Sequence, residues 1–158
     1  MTTKFPITLA GLNQLQEEIK HLKTVERPAV ISAIAEAREH GDLSENAEYH
    51  AARERQSFIE GRISELEDKF SRVDVIDPSK MDGETIKFGA TVRVVDEDTE
   101  TEHTYQIVGE YEANYEAGRL AFTAPLSRAL IGKNVGDSVE VNTPKGAKAY
   151  EVLEVAYK

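Results

Sequence analysis

The chain has 158 residues, room for one large domain or two small ones, and its 40% hydrophobic content supports a packed core rather than a disordered chain. It has no cysteine, which excludes disulfides, zinc–thiolate sites and a thiol nucleophile. Asp and Glu number 29 against 19 Lys and Arg, a net charge of −10, so autonomous binding to DNA is disfavoured: phosphates would be repelled, and a protein, a basic channel or a metal ion is the better-matched partner.

The opening residues MTTKFPITLAGL carry no basic segment followed by an apolar run, and no stretch approaches the ~20 apolar residues of a membrane span. The expectation is a soluble cytoplasmic protein. From residue 8 to about 75 the period is helical. Thr8 is a candidate N-cap. Leu12, Leu15, Ile19 and Leu22 follow at spacings of 3, 4 and 3, the seam of a coiled coil. Pro28 predicts a kink or restart near Arg27. Apolar positions resume at Val30, Ile31, Ile34 and Ala37, and His40-Gly41 is a stop signal. A second helix is expected to start after Asp42, with its seam at Ala52, Ile59, Ile63, Leu66, Phe70 and Val73. Two helical runs of about 30 residues joined by a short turn form an antiparallel hairpin, ~45 Å long at ~1.5 Å per residue.

The period changes at Asp77-Pro78. Charge does not mark this boundary, because each half carries about −5: 10 basic and 15 acidic residues before it, 9 and 14 after. Segments 86–95, 104–109, 119–124, 138–142 and 149–157 are rich in β-branched and aromatic residues and predict strands. Residues 125–132 (PLSRALIG) predict one short helix, with Pro125 at its start and Gly132 after it. The fold class is therefore α+β: residues 1–77 an antiparallel coiled coil with an acidic tip near 40–48, and residues 78–158 a β-rich domain.

The tip, EHGDLSENAEYH (39–50), holds more chemistry than a turn requires. Asp42 and Glu45 have the spacing of a capping box, and acids at a helix N-terminus are favoured by its dipole. Equally, the two are hard oxygen ligands displayed at the end of a rod. Mg2+ keeps most of its waters and often takes only one or two protein carboxylates, so such a pair makes half a metal site for another molecule to complete. His40, Glu48 and His50 lie nearby, but the two His flank opposite sides of the turn and no close helical His pair is present. Tyr49 and Arg53 share a helix face. Arg53, Arg55 and Arg62 could steer an RNA strand, although the interleaved Glu54 and Glu60 equally describe ordinary solvated surface. His21 and His103 read as surface residues. No phosphate-binding glycine motif and no serine triad is present.

The string AIAEAREHGDLSENAEYHAARERQ (33–56) resembles the tip of the bacterial transcript-cleavage (Gre) factors, and IVGEYEA (107–113) and APLSRALIGKNVGD (124–137) resemble their second domain. The resemblance covers essentially the whole chain. It implies that residues 78–158 have an FKBP-like fold and dock at the rim of the RNA polymerase secondary channel, with Pro125 and Arg128 as docking candidates. It further implies that the coiled coil enters the channel when polymerase has backtracked and stimulates the polymerase's own hydrolysis of the extruded nascent RNA 3′ end. On this resemblance Asp42 and Glu45 help hold the second, weakly bound Mg2+ jointly with polymerase, Asn46 assists, and Arg53 lies near the RNA. The factor would act as a monomer with no turnover of its own. Two departures from the family pattern stand out. Ser44 replaces a basic residue, and the SPxAR motif reads Ala124-Pro125-Leu126-Ser127-Arg128. The sparse basic residues along the coil match the less basic branch of the family.

Two other readings compete. The same rod could plug the channel and inhibit by competing for metal or space. Alternatively, Tyr105, Tyr111, Tyr115 and Phe122 could line a proline-isomerase-like site.

Overall fold

The structure, a computed structural model, describes residues 3–158 apart from the side chain of Ser44. The chain packs as two compact units. One is formed by Asn13–Arg72; the other combines Lys4–Leu12 with Val73–Lys158.

The first unit is the helical hairpin. Helix α1 (Leu9–His21) runs into a π-helical stretch, Leu22–Glu26, and then into α2 (Arg27–Arg38). This is the restart that Pro28 predicts. Pro28 has no N–H and its ring crowds the carbonyl four residues back, so the helix widens immediately before it, and the Arg27 N–H reaches the Leu22 carbonyl five residues away. Helix α3 (Ala47–Ser71) returns alongside; its 25 residues span ~37 Å at ~1.5 Å per residue. The seam is narrow. Val30, Ile59 and Ile63 are buried together with Leu22 packed against them. Paired charges flank this stripe. Arg27 makes a two-pronged bond to Glu60 at 2.8 Å, Lys23 reaches Glu67 at 2.7 Å, Arg55 reaches Glu26 at 2.8 Å and Arg62 reaches Glu18 at 2.9 Å.

The predicted seam is too long at its far end. Phe70 is 41% exposed, and Val73 has left the helix altogether. Val73–Ile76 is a strand, β2, which pairs in parallel with β1 (Phe5–Thr8). The β-branched run Val-Asp-Val-Ile takes ladder bonds from β1, a partner 68 residues away that periodicity cannot reveal.

The rest of the second unit is a five-stranded sheet in the order β5-β4-β3-β7-β6, made of β3 (Thr91–Asp96), β4 (Glu102–Val108), β5 (Arg119–Ala121), β6 (Ser138–Thr143) and β7 (Gly146–Ala156). All neighbours are antiparallel except β4 and β5. Two predicted strands shorten: 119–124 to Arg119–Ala121 and, at its start, 86–95. The first residues of the latter form an irregular approach, because Gly89 at φ +91° cannot continue a ladder, and β3 begins only at Thr91. Helix α4 (Pro125–Leu130) covers the core made by Ile86, Ala90, Val92, Val94, Tyr105, Ile107, Leu120, Leu130, Val139 and Val152. The α+β class predicted from the sequence is the observed one.

Candidate functional site

The hairpin tip is built from backbone geometry outward. At the end of α2 the ladder tightens: Glu39 N–H bonds the Glu36 carbonyl at 3.1 Å and His40 N–H the Ala37 carbonyl at 3.2 Å. Gly41 then adopts φ +112°, a conformation that L side chains rarely take, and the chain reverses. A single 3-10 turn, Leu43–Glu45, follows and closes with the Asn46 N–H on the Leu43 carbonyl at 3.4 Å.

Helix α3 does not begin directly after Asp42. Its N-cap is Asn46, held in extended geometry at φ −90° and ψ 99°. The Asn46 Oδ1 accepts the Tyr49 N–H at 3.0 Å, and its Nδ2 donates to the Ala37 carbonyl at 2.7 Å. One side chain thus caps α3 and staples it to the end of α2. Only an amide carries both an acceptor and a donor in this reach, so Asp at this position could do the first job and not the second. The expectation that Asp42 caps the second helix is corrected: the cap lies four residues further on, and the short turn between fills the gap.

Asp42, Glu45 and Glu48 are exposed, and with His40, Asn46 and Ala47 they line an open concavity. Among the described residues no three His, Asp or Glu side chains gather in metal-ligating geometry. The donor set is therefore two or three hard carboxylates in front of solvent, which fits partial ligation of Mg2+ and no self-contained site. The Ser44 side chain, where the sequence departs from the family's basic residue, lies outside the described residues.

Arg53 stands two turns into α3. Its Nη1 donates to the Tyr49 hydroxyl at 3.5 Å, and its guanidinium carbon sits 6.0 Å from the Tyr49 ring centroid. The three arginines of α3 are not brought together as one patch. Arg55 and Arg62 are spent on Glu26 and Glu18 across the hairpin, whereas Arg53 borders a shallow concavity with Arg38, Ile31, Ile34, Ala35 and Gln56.

In the second unit, Pro125 opens α4 at its first turn, and both Pro125 and Arg128 are exposed. Ala124 is the N-cap and offers no side-chain bond, while Ser127 is fully buried with its hydroxyl unpartnered. Of the four aromatics considered for a proline-binding site, Tyr105 stacks on Tyr115 with centroids 6.1 Å apart, while Phe122 meets Phe88 edge-on at 5.7 Å and packs against the core. Burial and the Tyr115 hydroxyl push the Tyr105 phenol well above its ordinary range.

A helical hairpin with an acidic tip, joined in sequence to a β-rich unit with a short Pro-initiated helix, defines the architecture of a two-part elongation factor. The chain belongs to the GreA/GreB family of transcription elongation factors: the family described as "Transcription elongation factor, N-terminal" matches residues 5–75, and "Transcription elongation factor, GreA/GreB, C-term" matches residues 81–157. It is 66% identical over 154 residues, 98% of either chain, to the transcription elongation factor GreA of Caulobacter vibrioides (strain NA1000 / CB15N). To the protein of the same name from Phenylobacterium zucineum it is 65% identical over the same share, and to that of Rickettsia canadensis 62% over 158 residues, 100% of this chain and 98% of the relative. Among solved structures, the GreA factor homolog 1 (Gfh1) of Thermus thermophilus is 26% identical with a TM-score of 0.45, over 97% of this chain and 99% of that one.

Proposed function

We propose that this elongation factor enters the secondary channel of bacterial RNA polymerase with its hairpin and stimulates the polymerase's intrinsic cleavage of backtracked nascent RNA. The reading rests on one observation above the others: Asp42 and Glu45 stand exposed at the tip while the N-terminus of α3 is organised by a different residue, Asn46. The acids are thus not needed to cap the long helix, and the turn that carries them is anchored on both sides by one amide.

Two-metal phosphoryl hydrolysis needs a second ion about 3.5–4 Å from the first to support the attacking oxygen, and Mg2+ supplies that support when bound. The role of Asp42 and Glu45 is to provide carboxylate oxygens for it from outside the polymerase, with the remaining ligands coming from the enzyme and the phosphate. Asn46 keeps the acids in place through its bonds to Ala37 and Tyr49. Arg53, two turns behind the acids, offers its guanidinium to the extruded 3′ segment. The second unit docks on the polymerase, with Pro125 and Arg128 contributing exposed surface from α4. The factor has no turnover of its own, works as a cytoplasmic monomer, and borrows both active site and RNA from its partner.

The experiment is cleavage in stalled, backtracked elongation complexes in Mg2+, comparing wild type with Asp42→Asn and Glu45→Gln. Each neutral variant is expected to lose at least tenfold in cleavage rate, to compete with wild type for polymerase unchanged, and to keep its helical content. A wild-type protein that binds and only slows elongation would instead be a channel plug.

A further inference from the structure

One end of β4 carries an aromatic column that the elongation role leaves unused. His103 and Tyr105 point to the same side of the strand, and their rings stack with centroids 5.8 Å apart at 16°. Tyr115 continues the column from a separate loop, 6.1 Å from Tyr105 at 26°. Tyr105 belongs to the core, whereas Tyr115 is 69% exposed. The column therefore runs from the core to solvent, and its outermost ring rests on Tyr105 with most of its surface open.

The loop that holds Tyr115 is fixed by its backbone. Asn114 and Arg119 exchange N–H···O bonds at 2.8 and 2.9 Å, and the Asn114 side chain accepts the Ala117 N–H at 3.3 Å. The Gly118 N–H closes the 3-10 turn Tyr115–Ala117 on the Tyr115 carbonyl at 3.0 Å. Gly118, at φ +78°, then offers its own carbonyl to the Gln106 N–H at 2.8 Å, and a Cβ there would lie 2.8 Å from the Thr104 carbonyl oxygen. An exposed Tyr on a loose loop loses conformational freedom when it is bound. On this loop little remains to lose, and a rigid ring with a polar end is the kind of group that anchors a protein interface.

The charge around the ring selects the ligand. Tyr115, Tyr105, His103 and Glu116 line one open concavity, completed by Thr104, Ala117 and Gly118, so no lysine or arginine borders it. Arg119, next along the chain, is engaged by the buried carboxylate of Glu112, which also accepts the Thr8 N–H, and Arg93 is held between Glu102 and Glu154. Glu116 is exposed and makes no ion pair among the described residues. An open aromatic face thus stands beside an unpaired carboxylate, in a chain of net charge −10. A planar cation satisfies both groups at once, because a guanidinium stacks flat on the ring and donates to the carboxylate. An ammonium makes the ion pair without the flat stack. Nucleic acid would bring its phosphates into the same negative field.

We propose that this concavity binds an arginine side chain of a protein partner, with Tyr115 as the stacking surface and Glu116 as the ion-pairing group. The site lies within the β-rich unit, shares no residue with α4, and stands whether or not the cleavage reading holds.

The probe is a blocked tripeptide, acetyl-Gly-Arg-Gly-amide, titrated into the full-length protein while backbone amide resonances are followed. Saturable shifts are expected at Tyr115, Glu116, Ala117 and Gly118, with weaker binding of the lysine analogue. Tyr115→Ala is expected to weaken binding about fivefold or more and Glu116→Gln about twofold or more, while Tyr115→Phe, which keeps the ring, binds as wild type does. Unchanged amide positions at Val92 and Val94 show that each variant keeps its sheet. Free arginine, whose own carboxylate meets the same negative field, is expected to bind more weakly than the blocked peptide, and equal binding overturns a protein source. The absence of saturable shifts at the concavity overturns the site itself. So does full binding by Tyr115→Ala or by Glu116→Gln, an equal response to the lysine peptide, or a stronger response to a proline tripeptide or a short uridine oligonucleotide.

Discussion

The hairpin and the β-rich unit are stabilised in opposite ways. The second unit buries a broad cluster in which Ile86, Ile107 and Leu130 are wholly inaccessible. The hairpin buries a narrow stripe and leaves large apolar groups outside, with Phe58 72% and Ile31 51% exposed. Between its helices it relies on ion pairs in contact with water, which contribute little individually and weaken with salt. An element of two helices cannot have a thick core, so order at its tip must come from directional bonds. Asn46 provides them.

The largest contrast should appear on cutting the two apolar clusters. Leu130→Ala is expected to cost ~3–4 kcal/mol and Ile63→Ala only ~2, because a cavity in a narrow two-helix seam collapses or opens to water while one beneath a sheet does not. Chemical denaturation followed by far-UV circular dichroism measures both, and equal losses would erase the distinction.

Next comes the motif at α4. The uncapped Ala124 and the orphaned buried hydroxyl of Ser127 are both unfavourable as they stand. Exchanging them, Ala124→Ser with Ser127→Ala, is expected to stabilise the second unit by ~1 kcal/mol for the cap and ~1–2 kcal/mol for the removed hydroxyl. Thermal unfolding of the double variant against each single one tests whether the two gains add.

Smaller is the effect of loosening the tip. Asn46→Ala should cost ~1 kcal/mol in helix stability, while Asn46→Asp should retain the cap on Tyr49 and lose the bond to Ala37. Faster amide exchange at Tyr49 in the first variant and not in the second separates the two bonds. Both should reduce cleavage, since both free the turn that carries the acids.

The smallest effects are those of salt and acid on the hairpin alone. Hydrogen bonds from Arg55 and then His21 hold Glu26 below its ordinary value of 4.5, Arg27 does the same for Glu60, and Lys69 for Glu65. Groups depressed on folding stabilise above their unfolded value, and that contribution is lost as pH falls through the folded one. Hairpin stability is thus expected to hold from neutral pH down to about 4.5 and to decline below it, with amide protection at Ile59 and Ile63 falling before that at Ile107. High salt at neutral pH should produce a weaker version of the same ordering.

Much of this molecule is written in local order. A seam at spacings of three and four, a proline that demands a restart, and a glycine that stops a helix give two helices and their turn, because a helix is a local structure with a fixed period. The strands from Thr91 onward follow from β-branched alternation between turn residues. The acidic pair at the tip is legible as two carboxylates at a helix turn, and the role proposed for it comes from the resemblance of residues 33–56 to known factors. What the sequence could not supply was the use of each polar atom. That Asn46 and not Asp42 begins α3, that Val73 leaves its heptad to pair with Phe5, and that Glu112 closes on Thr8 across 104 residues are all outcomes of long-range competition for hydrogen-bond partners. A donor or acceptor in a folded chain takes the best-placed partner in space, and which partner that is depends on where the rest of the chain has already gone.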